Sequence, residues 1–279
     1  MLLVCLIWGT NFSVVKLALR SMPALAFTAL RFVVSSAVLW VLLRRLKGGV
    51  RMPRGLFWPM VALGVLGNTC YQVAFTLGLQ YTTATNCALI ISTVPAVVAV
   101  LGEVLGIERT TPRMRWGIAL ATAGVALVVG AGGVRFTADT LRGDALAVAA
   151  TLCWAGYTLG LRRVPPTLSP LEVTTFATLT GTPGLVVAAL PDLAVLEWGR
   201  VPAAAWGAMG YASVLSLVVA YAIWNASVQR VGGTRTAIYM CVTPVVAAVA
   251  AWLILDERLR PIQALGAALI IPGVLLTRR

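Results

Sequence analysis

The sequence predicts an all-α integral membrane fold: ten transmembrane helices forming two inverted five-helix repeats around a central cavity. Three observations carry this. Of 279 residues, 59% are hydrophobic and only 11% charged, where a soluble domain holds about 25% charged residues. The apolar residues collect into runs of about twenty, the length that crosses a ~30 Å hydrocarbon core. A long segment of the first half returns in the second. Such runs must be helical, because lipid offers no partner for free backbone N–H and C=O groups.

Taken in order, the spans fall at 2–20, 24–46, 55–79, 84–106, 112–131, 143–163, 170–190, 203–228, 233–255 and 261–277. Breakers or charges separate them. Ser21-Met22-Pro23 ends the first, the basic stretch Arg44 to Arg54 the second, and Glu108 to Pro112 the fourth. Gly130 to Gly133 divides the halves, giving units 1–133 and 134–279. Pro165-Pro166, Pro191 to Pro202, Gly232-Gly233 and Asp256 to Pro261 separate the later spans.

An even number of spans puts both termini on one side. The loops after the second, fourth, sixth and eighth spans, with the C-terminus, hold more than twice as many basic residues as the opposite loops. Arg44, Arg45, Lys47, Arg109, Arg113 and Arg115 are among them. Short positively charged loops stay in the cytoplasm, so both termini are expected there, in a plasma (inner) membrane. Trp40, Trp58 and Trp116 then fall at cytoplasmic helix ends and Trp198, Trp206 and Trp252 at external ones. Trp224 lies towards the cytoplasmic end of its helix. All seven read as interfacial anchors.

The net charge of +13 is spread over these short loops, which argues against nucleic acid as a partner. The five cysteines (Cys5, Cys70, Cys87, Cys153, Cys241) lie in apolar runs without CxxC spacing, and the sequence has no histidine. They read as small packing residues. No metal site, disulfide framework or cofactor is expected. The first apolar run opens at Leu2 with neither a basic leader nor a small-residue cleavage site, so no cleaved signal is expected and a short natural N-terminus is expected to be missing.

Aligning 84–127 with 233–276 pairs Thr85 with Thr234, Ala88 with Ala237 and Pro95 with Pro244. It also pairs Glu108-Arg109 with Glu257-Arg258, Pro112 with Pro261, Gly117 with Gly266 and Gly124 with Gly273. Chance likeness between apolar runs supplies Ala, Leu and Val matches, not two prolines, a Glu-Arg pair and two glycines in register. With a small slip, Pro23 pairs with Pro170 and Trp8 with Trp154. Five helices per unit is odd, so the second unit enters the membrane from the other side. Inverted repeats of this kind are a recurring design of secondary transporters, whose solute site lies at the repeat interface.

A helix with a mid-span proline, then Glu-Arg, proline and a glycine-spaced helix, all occurring twice in a ten-helix chain, resembles the EamA family of the drug/metabolite transporter superfamily. Pro23…Arg31 also looks like that family's second helix. The aromatic-rich centre is similar to YddG-type exporters of amino acids. The resemblance implies a small-molecule solute moved by alternating access. Cation-extruding relatives use a mid-membrane glutamate on the first helix; here Trp8-Gly9-Thr10-Asn11 holds no acid, which favours a neutral or zwitterionic solute, amino acids foremost.

Intramembrane polar and aromatic groups are the candidate lining. Trp8 and Asn11 share a face of the first span, and Trp154 and Tyr157 are their counterparts on the sixth. Asn68, Tyr71 and Phe75 share a face of the third. Asn86, Ile90 and Thr93 on the fourth, Ser216 on the eighth and Tyr239 on the ninth complete the set. Packing or helix–helix hydrogen bonding is the alternative for each. Pro95 and Pro244, at mid-span, are candidate hinges. A proline lacks its N–H, so the carbonyls of Ile91 and Met240 are expected to be released. Glu103 lies near the cytoplasmic end of the fourth span. Lys16 and Arg31 lie nearer the outside, where Arg31 either holds a substrate carboxylate or bonds helix-end and loop carbonyls. Gly117, Ala121, Gly124, Ala264 and Ala268 suit close helix contact, either between the halves or between subunits, and monomer against homodimer stays open. An organic-anion or nucleotide-sugar exchanger would need basic residues inside the cavity. A membrane-embedded enzyme would need a nucleophile–base pair, a metal or paired acids.

Overall fold

The computed structural model describes residues 1–49, 52–130, 137–255 and 261–278. The pair Glu257-Arg258, the 133/134 boundary and loop residues Arg51, Arg135 and Arg260 lie outside them, as does the side chain of Lys16. Among the described residues the chain is helical, without strand. We label the main helices α1 (Leu2–Ala18), α2 (Ala24–Lys47), α3 (Arg54–Tyr81), α4 (Ala84–Ile91 continued by Val94–Val104) and α5 (Pro112–Gly130). They continue as α6 (Leu141–Leu161), α7 (Pro170–Ala188), α8 (Ala203–Val231), α9 (233–255) and α10 (Pro261–Arg278).

Among the described residues seven helices are long and apolar enough to cross a membrane: α2, α3, α4, α5, α6, α8 and α9. α1 and α10 carry shorter apolar stretches. α7 contains five threonines. Four return their hydroxyl protons to the helix's own carbonyls, Thr174 to Pro170 (2.7 Å), Thr175 to Leu171 (2.8 Å), Thr180 to Phe176 (2.8 Å) and Thr182 to Thr178 (2.7 Å). In an apolar surrounding this keeps each hydroxyl satisfied.

Local chemistry sets the ends. Ser169 and Glu172 form a capping box at the start of α7, with Pro170 in the first turn. Thr83 Oγ1 accepts from Asn86 N at the start of α4 (3.0 Å). Gly48, at φ +70°, stops α2 in the left-handed region that favours glycine.

Four helices depart from regular α geometry. α3 contains a π-helical stretch at Val65–Cys70 and α8 one at Ala212–Val219. α4 is interrupted at Ser92 and Thr93, just before Pro95. α9 runs through a 3-10 stretch, Ile238–Val242, just before Pro244. Both prolines therefore follow a break in the helix. The Met240 carbonyl, expected to be free, instead accepts from the backbone at Thr243 through the 3-10 turn.

α1 packs on α8 and α9, and α6 on α3 and α4. α2 packs on α7 and α8, α7 also on α3, and α5 lies along α10. The α5–α10 pair closes on four glycines. A Cβ on Gly117 would stand 2.6 Å from the Gly273 carbonyl oxygen, and one on Gly124 2.6 Å from that of Gly266. Backbones so close need small residues. Large aliphatic side chains such as Leu2, Leu6, Val33, Val41, Val100, Val104 and Leu253 face outwards, as lipid permits.

Trp40, Trp58, Trp116, Trp198, Trp206 and Trp252 are exposed, as anchors should be. Trp224 is not: its side chain is fully buried in the core. Counting from the helix end placed it near an interface, but its neighbours Tyr221 and Asn225 share its face and turn it inward. Cys5, Cys87 and Cys241 are buried, whereas Cys70 is exposed.

Candidate functional site

The centre of the protein is a continuous aromatic cluster. α6 supplies Trp154 and Tyr157, three residues apart and so on one face. Their ring centroids lie 5.3 Å apart. α1 supplies Trp8, 5.9 Å from Trp154 and nearly perpendicular to it. α3 supplies Tyr71, 4.9 Å from Trp154, with Phe75 stacked on Tyr71 at 5.9 Å. α8 supplies Tyr221 and Trp224, 5.6 and 5.4 Å from Trp154 and 6.0 and 5.4 Å from Trp8. These are the separations of packed offset and edge-to-face rings. Gly67, in the π-helical stretch of α3, makes room for one of them: a Cβ there would collide with the Tyr157 ring.

A few polar groups set the orientation. Trp8 Nε1 donates to the Ser216 carbonyl (3.1 Å) in the π-helical stretch of α8. Such stretches free carbonyls from the regular ladder and recur at functional sites. Tyr157 donates to Asn225 Oδ1 (3.0 Å), and Asn225 Nδ2 donates to Thr174 Oγ1 on α7 (2.8 Å). The indole N–H groups of Trp154 and Trp224 are buried and find no protein acceptor. A buried indole N–H ordinarily has one.

Five of the expected lining residues, Trp8, Tyr71, Phe75, Trp154 and Tyr157, are thus brought together, and Ser216 joins through its carbonyl. Of the remaining six, five make their contacts elsewhere. Asn68 is buried in the α3–α7 seam, where Nδ2 donates to the Ala177 carbonyl (2.8 Å). Asn86 donates to Asp144 Oδ1 (3.2 Å) on α6. Thr93 Oγ1 donates to the Ile90 carbonyl (2.6 Å), so both mark the break in α4. Tyr239 packs against the α5–α10 cluster around Val125 and Ile270. Asn11 is half-buried, its Oδ1 without a partner. An amide inside an apolar run always seeks a partner, and the sequence does not say whether that partner is a solute or a neighbouring helix. Tyr221, Trp224, Asn225 and Gln72 were missed. Their shared spacing along α8, and a glutamine beside Tyr71 in an apolar run, were the available signals.

Two carboxylates tie helix ends together, at opposite ends of α6. Asp144 accepts from Thr82 Oγ1 (2.6 Å), Asn86 Nδ2 and Thr140 Oγ1 (3.0 Å). Glu108 caps the start of α9: Oε1 accepts from Gly233 N (2.5 Å) and Oε2 from Thr234 N (2.9 Å). Arg162, at the end of α6, reaches Glu108 Oε1 through Nε (3.3 Å) and donates Nη1 to the Gln229 carbonyl (3.1 Å). Glu103 belongs to neither group; it bonds Thr110 and Arg115 locally.

The EamA-like transporter family model matches residues 1–130 and 141–279. The chain belongs to that family. An uncharacterized transporter of Archaeoglobus fulgidus is 31% identical over 99% of this chain and 94% of its own length. A protein of Streptantibioticus cattleyicolor named "Probable terminal-alkyne amino-acid exporter" is 29% identical over 98% of this chain and 90% of its own. A crystal structure aligns with TM-score 0.84 over 99% of this chain and 94% of that one; at 20% identity it speaks for the fold alone. The protein is therefore a multi-pass membrane protein and a membrane transporter.

Proposed function

We propose that this EamA protein is a secondary transporter of the plasma (inner) membrane that exports, or facilitates passage of, small neutral or zwitterionic metabolites, amino acids foremost, by alternating access. All ten helices cross the bilayer, as two inverted five-helix units, 1–133 and 134–279, with both termini cytoplasmic. The aromatic cluster carries the proposal. It is built from α1 and α3 of one unit and α6 and α8 of the other, and holds two indole donors with no protein acceptor. Ring faces attract an ammonium group, by up to ~2 kcal/mol when desolvated, and indole N–H groups suit a carboxylate or carbonyl. The exporter name of the Streptantibioticus cattleyicolor relative supports the amino-acid class.

Four features support the inverted repeat. The π-helical stretches of α3 and α8 fall at equivalent positions, as do the breaks before Pro95 and Pro244. The Gly117–Gly273 and Gly124–Gly266 approaches exchange under the alignment that equates 117 with 266 and 124 with 273, as a two-fold axis requires. The packing of α1 on α8 and α9 matches that of α6 on α3 and α4. The loop charge bias supports the orientation. Pro95 and Pro244 serve as hinges, since each follows a break that concentrates bending.

Counterflow in proteoliposomes with a panel of amino acids, with and without a pH gradient, tests this reading. Saturable exchange of at least one amino acid is expected. Trp154→Ala and Tyr71→Ala should each lower it at least tenfold at unchanged expression. Absence of amino-acid exchange by the wild-type protein would remove the substrate class, and full activity in both variants would remove the site.

A further inference from the structure

We infer that Arg31 is an anion-binding residue of the transport site, taking the carboxylate of the solute. Arg31 on α2 is only 9% exposed. Among the described residues the ion pairs belong to other bases: Lys47, Arg115, Arg162 and Arg200. One terminal nitrogen of the guanidinium donates to Gln72 Oε1 (2.9 Å), while Nε is buried without an acceptor. The rings of Phe27 and Phe32 flank the guanidinium carbon at 5.7 and 5.8 Å. A neutral amide and two ring faces are weak compensation for a buried cation, which ordinarily demands an anion. The sequence left open a structural role in bonding helix-end carbonyls; the side chain's hydrogen bond goes to Gln72 instead.

The arrangement is held in place and leads to the centre. Ser35 Oγ, one turn along α2, bridges the Arg31 carbonyl (2.5 Å) and the Ser213 carbonyl of α8 (2.9 Å), fixing α2 against α8. Gln72 sits next to Tyr71 in sequence and donates its Nε2 to Tyr221 Oη at 3.5 Å. The Tyr221 ring touches both Trp8 and Trp154. Arg31 is thus one side chain, Gln72, from the aromatic cluster, with an unused donor on a planar fork that matches a carboxylate. A zwitterionic solute would lay its ammonium and apolar side chain among the rings and its carboxylate towards Arg31.

This rests on the amino-acid reading, and its test separates the two. Binding to the purified, detergent-solubilised protein is measured by thermal shift for L-leucine, L-methionine and L-phenylalanine, for the carboxamide of each, and for 3-phenylpropionate, a carboxylate without an ammonium group. In wild type the acids should bind at least tenfold more tightly than their carboxamides. In Arg31→Gln that preference should fall to within twofold, with Arg31→Lys between. Equal binding of acid and carboxamide by wild type would overturn the role of Arg31 and leave the amino-acid reading standing; this ligand-side comparison holds even if Arg31→Gln fails to fold. A tenfold preference surviving in Arg31→Gln would likewise overturn it. Binding of 3-phenylpropionate but of none of the amino acids would uphold Arg31 and overturn the amino-acid reading, and binding of none of the compounds would overturn both.

Discussion

Glu108→Ala removes a carboxylate on which three donors converge. Two are backbone N–H groups at the start of α9, Gly233 (2.5 Å) and Thr234 (2.9 Å), among the four that no helix satisfies internally. Hydrogen bonds to a charged acceptor contribute about 1.5–3 kcal/mol each. The Glu108 side chain is 11% exposed and Arg162 34%, so the backbone bonds are largely shielded while the ion pair adds under ~1 kcal/mol. Water reaching the vacated cap offsets part of the loss, leaving about 3 kcal/mol. At ~2–4 °C per kcal/mol for a chain of this size, the thermal midpoint should fall on the order of 6–12 °C. Glu108→Gln keeps one acceptor oxygen and should lose roughly half as much. The assay is thermal unfolding of the purified protein in detergent, followed by tryptophan fluorescence. A midpoint for Glu108→Ala within about 2 °C of wild type would refute the reasoning, because the α9 N–H groups would then have another partner.

Further outcomes follow from other contacts. Gly124→Leu places a side chain where even a Cβ would be 2.6 Å from the Gly266 carbonyl; it should abolish the folded protein as judged by size-exclusion chromatography, whereas Gly207→Leu, whose Cβ meets nothing within 4 Å, should not. Tyr157→Phe removes one neutral hydrogen bond to Asn225 (3.0 Å) and should cost about 1 kcal/mol, read as a shift of a few degrees. Asn225→Leu leaves the buried Tyr157 hydroxyl unpaired as well as deleting the bond to Thr174, and should cost more than Tyr157→Phe by the same measurement.

The sequence made part of the skeleton legible because its markers recur in register, at 95 and 244, 117 and 266, and 124 and 273. Pro95 and Pro244 lack an N–H for the helical ladder, and both follow a break, whereas Pro183 and Pro272 sit inside continuous helices. Gly117 and Gly124 admit a backbone neighbour, and they do. The π-helical stretches Val65–Cys70 and Ala212–Val219 were invisible because no residue type demands one; packing of Tyr157 against Gly67 goes with the first, and the carbonyl taken by Trp8 lies in the second. The aromatic cluster at the candidate site was only half legible. Large rings on one face, Trp154 with Tyr157 and Tyr71 with Phe75, meet at the centre, where they pack on one another. Single amides, Asn68 and Asn86, went to Ala177 and Asp144 because a hydrogen bond needs only one acceptor, which any neighbouring helix supplies.

α6 carries the consequence of this arrangement. Its start is held by Asp144 to Thr82 and Asn86, and its end by Arg162 to Glu108, which also caps α9. Both ties join the two proposed units, one at each end of a helix whose middle presents Trp154 and Tyr157. Under the proposed alternating access the cluster would open towards one end by releasing that end's tie while the other holds. Glu108→Ala and Asp144→Asn should therefore bias the protein in opposite senses. With Tyr71→Cys in a background free of the native cysteines, a membrane-impermeant thiol reagent reports which side reaches the centre. Glu108→Ala should raise labelling from the side of the α4–α5 connection, and Asp144→Asn from the side of the α3–α4 connection. Labelling that rises from the same side in both variants would refute the two-tie scheme, because ties at opposite ends of one helix cannot guard the same entrance.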